Sequence, residues 1–383
     1  MRSSTLAVLA AATAVSATPR YVMYFDQWHK TTLPSKDVTA GVNYVITAFA
    51  PSTTFNSGSS YTPFMSVDQV RGLFDKGTKV CMAIGGWGDT AGFSTGAATD
   101  ETRKAYAKNV ATALMTLDYD CVGEFKSHSQ RSTANASIDV DWEYPGGNGE
   151  DYKRVPNDQK KGEIEAYPLF LAEIKAAIGT KELSIAVPGK VGDMIAFTAE
   201  QVPKIDKAVD FINVMTYDLM NRRDNVTNHH TSLSGSKTTV ETYIQRGMSP
   251  GKMNLGFAFY AKFFQTADTC TSPTGCPTVL MESPDGTDTG KSGATTFEVE
   301  NFNTAEFVNV LKNGKADTTM GGQWYWDPST KKFWTWDTPQ FIAQKFAEIV
   351  NAKKLGGVMA WSLAQDSHDW SHFKAMQAGV KGM

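Results

Sequence analysis

The chain has 383 residues, 41% of them hydrophobic and 20% charged, with a formal net charge of −3. That length supports one large barrel-type domain or two ordinary ones, each with an ample core. The near-neutral balance leaves no electrostatic footprint for nucleic acid or an anionic membrane, and it suits a neutral substrate.

The N-terminus reads as an address. Arg2 precedes an apolar run over 6–15, and Val15-Ser16-Ala17 stands before Thr18-Pro19. A charged start, a short apolar stretch and a small-residue cleavage site predict a secretory signal peptide over 1–17 and an extracellular product. The run is too short to span a bilayer, and no later stretch is long and apolar enough to do so, so no membrane partner is expected. Four Cys suit an oxidising compartment without making a disulfide scaffold.

Short apolar runs then alternate with segments of helical period. Strands are predicted at 21–25, 44–49, 80–84, 138–142, 183–187, 211–216, 254–259 and 358–361. Helices are predicted at 101–117, 167–178 and 338–353. The first has Tyr106, Val110 and Leu114 on one face, as an amphipathic helix requires. Strands alternating with helices pair in parallel through crossovers, so the class is α/β and eight units predict a (β/α)8 TIM barrel. A doubly wound open sheet is the alternative, but no Gly-rich phosphate loop follows the first strand.

One interval breaks the rhythm. Residues 263–337 are too many for a βα loop and predict a small α+β subdomain inserted after the seventh strand. The barrel would then occupy 18–262 and 338–383, with the insertion on its C-terminal rim, where active sites lie. Cys270 and Cys276 flank a Thr-Ser-Pro-Thr-Gly turn and are expected to be bonded; a short helix is expected at 304–311, and a hairpin joins 323–326 to 333–337. Cys81 and Cys121 each adjoin a predicted strand, either as a pair or as buried thiols. Asn225-Val226-Thr227 and Asn135-Ala136-Ser137 are glycosylation sequons and hence expected at the surface. His229-His230 lacks a third ligand at metal-like spacing and is read as part of a solvated loop. No nucleophile elbow, P-loop or HExxH is present, so no metal or cofactor is implied. With no Ser/Thr/Pro linker or Cys-rich module after 338–383 in this sequence, a separate binding domain is not expected, and a monomer is.

Chemistry concentrates on the fourth strand. In Ile138-Asp139-Val140-Asp141-Trp142-Glu143-Tyr144-Pro145 the three acids occupy alternate positions. Period two puts them on one face, neighbours about 6–7 Å apart, with the apolar set facing helices. Three like charges that close cannot all ionise cheaply, so the ladder is a device for holding protons. An edge strand with a solvated acidic face is the bland alternative, but a strand in mid-chain of a parallel pattern must bury its other face.

This run resembles the signature of family 18 glycoside hydrolases, the chitinases. Other stations agree in order: Ala83-Ile84-Gly85-Gly86-Trp87 on the third strand, with Ala83 where the family has serine, and Met215-Thr216-Tyr217-Asp218 on the sixth. Gly256-Phe257-Ala258-Phe259-Tyr260 follows on the seventh and Gly356-Gly357-Val358-Met359-Ala360-Trp361 on the eighth. The resemblance implies a retaining, substrate-assisted hydrolysis of β-1,4-linked N-acetylglucosamine polymers, chitin or chitooligosaccharide. Glu143 would be the acid and base, Asp141 would orient the acetamido group, Asp139 would share a proton with Asp141, and Tyr217 would hold the acetamido oxygen. Trp361 would floor the cleaved sugar, with Tyr24, Phe49 and Met215 lining it; Gly86, Trp87, Tyr144 and Asp218 would serve adjoining sugars. The chain departs from the pattern at Ala136, where the signature's first Asp is missing, and at a polar, aperiodic segment, 124–137, read as an insertion, native or a translated intron. A non-catalytic chitin-binding lectin and an endo-β-N-acetylglucosaminidase are the competing functions on such a scaffold.

Overall fold

Alternating inward and outward side chains let the predicted strands close on themselves as a parallel barrel. The computed structural model describes residues 18–119 and 137–383. The expected signal peptide, Cys121, Ala136 and the Asn135 sequon, with all but the last residue of 124–137, lie outside them. In chain order the strands are β1 (Arg20–Asp26), β2 (Tyr44–Ala50), β3 (Lys79–Gly85), β4 (Ser137–Asp141), β5 (Glu182–Pro188), β6 (Phe211–Met215), β7 (Met253–Ala258), β8 (Tyr260–Gln265), β9 (Ser292–Thr296), β10 (Lys315–Asp317), β11 (Gly322–Asp327), β12 (Lys332–Trp336) and β13 (Gly357–Trp361). The barrel runs β1-β13-β7-β6-β5-β4-β3-β2, closed and parallel, which is the (β/α)8 architecture the sequence predicts.

Period two explains two nested cores. Val22 and Tyr24 of β1, Ile46 and Ala48 of β2, and Ala83 of β3 fill the interior. The alternate residues, such as Met23, Val45 and Ile84, join the surrounding helices. Behind β4, Trp142 packs on Phe93 (5.3 Å, stacked), Tyr167 and Phe170. Each such side chain contributes about 1.5–3 kcal/mol on burial, so the strand's outer face pins the register of its inner face. The predicted amphipathic helix forms as Asp100–Thr116, with Tyr106, Val110 and Leu114 buried. The segment predicted as a helix at 338–353 is α-helical over Pro339–Lys345 and continues as a π-turn, Phe346–Asn351; the wider turn keeps Phe346, Ile349 and Val350 buried together.

Between β7 and β13 the chain builds a five-stranded sheet, β10-β11-β12-β8-β9, whose pairs are all antiparallel. It starts at Tyr260, directly after β7, and carries the helix Ala305–Asn313. Cys270 and Cys276 are disulfide-bonded, whereas Cys81 is buried inside the barrel. The sheet also corrects one expectation. His229 and His230 are buried rather than solvated, because the inserted sheet covers their loop. His229 bonds Thr335 of β12 (3.1 Å) and Asp317 of β10 (3.0 Å), and His230 lies under the Tyr260 ring. Among the described residues no group of three His, Cys, Asp or Glu is placed to hold a metal, and no helix is long and apolar enough to cross a membrane.

Candidate active site

The C-terminal ends of the barrel strands and the inserted sheet enclose a cleft of about 690 Å³. Asp141 and Glu143 open into it, while Asp139 lies beneath, fully buried. Glu143 stands just past the end of β4, at the centre of a tight turn closed by Tyr144 N–H to Trp142 O (2.7 Å), with φ +60°. A non-glycine residue in this left-handed region is strained, and such strain is concentrated at functional sites. Beyond the turn the Glu143 side chain lines the cleft.

Burial, and then the charge of Asp218, push the Glu143 carboxyl up to about 8. Asp141 is also raised well above the carboxylate range, by burial and then by Glu143 and Asp139. No donor faces its buried Oδ1. Asp139 is raised too, by burial, although three hydrogen bonds oppose the rise: Tyr24 Oη donates to its Oδ2 (2.7 Å), and Ser184 Oγ (2.7 Å) and Asn213 Nδ2 (3.2 Å) donate to its Oδ1. The hydroxyl that Ala83 of β3 cannot supply thus has a counterpart on β5.

The remaining expected residues converge on the same cleft. Trp361 stacks on Phe49 (5.5 Å) and leans on Tyr24 (5.7 Å), forming an aromatic floor across β13, β2 and β1. Tyr217 and Met215 line the wall above β6. Trp87 meets Tyr144 edge to face at 5.4 Å. Gly86 has φ +94°, and a Cβ there would come within 2.7 Å of the Phe49 ring, so the floor needs glycine. Asp218 accepts from Tyr260 Oη (2.8 Å) and pairs with Lys262 (3.0 Å), with His230 at 3.7 Å. The cleft walls favour its neutral form, but Lys262 and then His230 more than reverse this and hold Asp218 well below the usual carboxylate range. Asn225 of the other sequon is exposed.

Several lining residues escape the motif reading. Trp28, 61% exposed, extends the aromatic floor next to Phe49. Arg223 lies 5.2 Å from the Trp87 ring and 4.0 Å from that of Tyr152, tied to the Asn148 and Gly149 carbonyls. Lys262 comes from the insertion. Ser184 and Asn213 carried a signal: each is polar and alternates with apolar residues on a barrel strand, so each had to point inward.

The profile of the glycosyl hydrolases family 18 matches residues 20–366. The chain belongs to this family. Chitinase 1 of Aphanocladium album is 26% identical over 302 residues, covering 75% of this chain and 62% of that protein. The chain therefore spans about three-fifths of that relative's length. Among solved structures, a chitinase of Rhizomucor miehei shares the fold with a TM-score of 0.73 at 18% identity, covering 94% of this chain and 99% of that one. A plant class V chitinase mutant from Cycas revoluta, in complex with (GlcNAc)3, aligns with a TM-score of 0.70 at 20% identity over 94% of this chain and 99% of that one.

Proposed function

We propose that this family 18 protein is a secreted chitinase that hydrolyses β-1,4-linked N-acetylglucosamine chains with retention, using the substrate's own acetamido group as nucleophile. One observation carries the reading: Glu143 lines the cleft beside Asp141 and the Trp361–Phe49 floor, in surroundings whose burial and neighbouring Asp218 push its carboxyl upward and favour the protonated form. A general acid must hold its proton before the reaction, and this placement is worth roughly 10²–10⁴ in rate.

The sugar at the cleaved position lies over Trp361 and Phe49. Its acetamido oxygen attacks C1 as the C1–O glycosidic bond breaks, and Glu143 delivers its proton to the leaving oxygen. The resulting oxazolinium ion carries positive charge beside Asp141, which holds the acetamido N–H, while Tyr217 Oη holds the acetamido oxygen. Water, deprotonated by the Glu143 carboxylate, then attacks C1; the ring opens and Glu143 regains its proton. Trp87, Tyr144 and Asp218 face the neighbouring sugars. The N-terminal 17 residues direct export, the Cys270–Cys276 bond fits an oxidising compartment, and the exposed Asn225 is a site for N-glycosylation. The Cycas enzyme's complex with an N-acetylglucosamine trimer supports the substrate class.

The test is proton NMR of fresh products from chitohexaose. The reading predicts the β-anomer first and no cleavage of cellohexaose, which lacks the acetamido group. The α-anomer first, or cleavage of both substrates, contradicts substrate assistance. Activity confined to a high-mannose glycopeptide indicates an endo-β-N-acetylglucosaminidase, and binding without turnover a lectin.

A further inference from the structure

A file of polar side chains, buried beyond the half-buried Arg20, runs through the barrel from its N-terminal mouth to the acid ladder. Arg20 Nε donates to Asn254 Oδ1 (2.8 Å), Asn254 Nδ2 to Asn213 Oδ1 (2.9 Å), and Asn213 Nδ2 to both Tyr24 Oη (3.0 Å) and Asp139 Oδ1 (3.2 Å). β1 supplies Arg20 and Tyr24, and β7, β6 and β4 supply Asn254, Asn213 and Asp139. Asn213 and Asn254 are fully buried.

An amide can turn over and offer either its oxygen or its nitrogen, but a guanidinium can only donate. Arg20 is itself fixed by Gly251 O (2.7 Å) and by the Phe211 ring beneath it. It therefore requires the oxygen of Asn254 to face it. That turns the Asn254 nitrogen towards Asn213, and the Asn213 nitrogen towards Tyr24 and Asp139. Tyr24 Oη, already accepting from Asn213, has its own proton free for Asp139 Oδ2 (2.7 Å). Ser184 adds a third donor. Asn213 Nδ2 can only donate, so a proton on Asp139 Oδ1 meets another proton, and a proton on Oδ2 would displace the Tyr24 hydroxyl proton from the carboxylate that accepts it. Asp141, with no donor at its buried Oδ1, has room for one.

We propose that Arg20, acting through Asn254 and Asn213, is a positioning residue that fixes the direction of the hydrogen bonds into Asp139, keeping it the unprotonated member of the ladder and placing the shared proton on Asp141. This deepens the hydrolase reading, on which its kinetic consequence rests. The proton on Asp141 is then available for exchange with Glu143 rather than held out of reach beneath it. The other titratable groups around Asp139 are Asp141 on its own strand, Tyr24 of β1, Tyr217 after β6 and Tyr167 from the helix behind. Burial raises all three phenols far above neutrality, so they remain neutral and exchange no proton with it.

The experiment follows the Asp carboxyl carbons by 13C NMR in protein labelled at Asp Cγ, with Asp139→Asn assigning the resonance. It needs no turnover, so it stands even if chitooligosaccharides prove not to be substrates. In the wild type and in Arg20→Lys, which still only donates, Asp139 takes up its proton at lower pH than Asp141 as the solution is acidified. Arg20→Met, at the barrel mouth, and Asn254→Leu, which cuts the file while keeping the arginine's charge, both move the Asp139 titration to higher pH. In the active enzyme the acidic limb of kcat/KM moves to higher pH in both variants, and kcat falls about three- to tenfold with KM unchanged. A merely structural role lowers Tm without moving the limb. An Asp139 titration that moves in neither variant overturns the proposal. A shift in Arg20→Met alone also overturns it, because the arginine's charge then acts without the amides.

Discussion

Lys262 Nζ lies 3.0 Å from Asp218 Oδ1, so the inserted sheet places a cation against the acid that follows β6. Asp218 is in turn the largest charge acting on Glu143 after burial. Asp218 therefore acts on Glu143 directly, and Lys262 acts on it through Asp218. Asp218→Asn removes a repelling charge and moves the basic limb of the pH–rate profile down; Lys262→Met leaves Asp218 uncompensated and moves it up. Each shift is expected at about half a unit to one unit, read from kcat/KM between neutral and alkaline pH.

The acid ladder costs stability. Below the ordinary glutamate value both native and unfolded states hold the Glu143 proton, and its burial carries no pH-dependent penalty. Between that value and about pH 8 only the native state binds the proton, so stability falls as pH rises and the penalty is complete above it. Glu143→Gln removes the penalty. Its Tm is expected to equal the wild type's near pH 4 and to exceed it by about 2–4 °C near pH 8, in a calorimetric scan.

Behind the insertion, Lys345 and Asp337 are fully buried together, Nζ to Oδ2 at 2.5 Å, with Thr231 also accepting from the lysine. Removing one partner leaves a charge without compensation in an apolar setting. Lys345→Met is expected to cost about 3–5 kcal/mol in urea unfolding, while Lys345→Met with Asp337→Leu recovers most of it.

The barrel was legible because each strand's alternation marks an inner and an outer face, and the ladder was legible because three acids share that inner face. Ser184, Asn213 and Asn254 obey the same rule singly; one polar residue on an otherwise apolar strand gives no sign of the partner it meets across the barrel. The Lys262–Asp218 contact was beyond reach for a different reason: it depends on how the inserted sheet packs over the rim. His229 and His230 were misread on the same account, since a polar loop looks solvated until the sheet that buries it is placed. The Glu143 turn has no sequence mark at all, because a positive φ at a glutamate runs against local preference and is imposed by its surroundings.

Turnover of chitooligosaccharides by the wild type and by Glu143→Gln, followed by reducing-end release with equal binding confirmed by calorimetry, tests the central assignment most directly. The account predicts hydrolysis by the wild type and at least a thousandfold loss in the variant, with affinity retained. Undiminished turnover in Glu143→Gln contradicts the acid assignment, and binding without turnover in the wild type contradicts the enzyme.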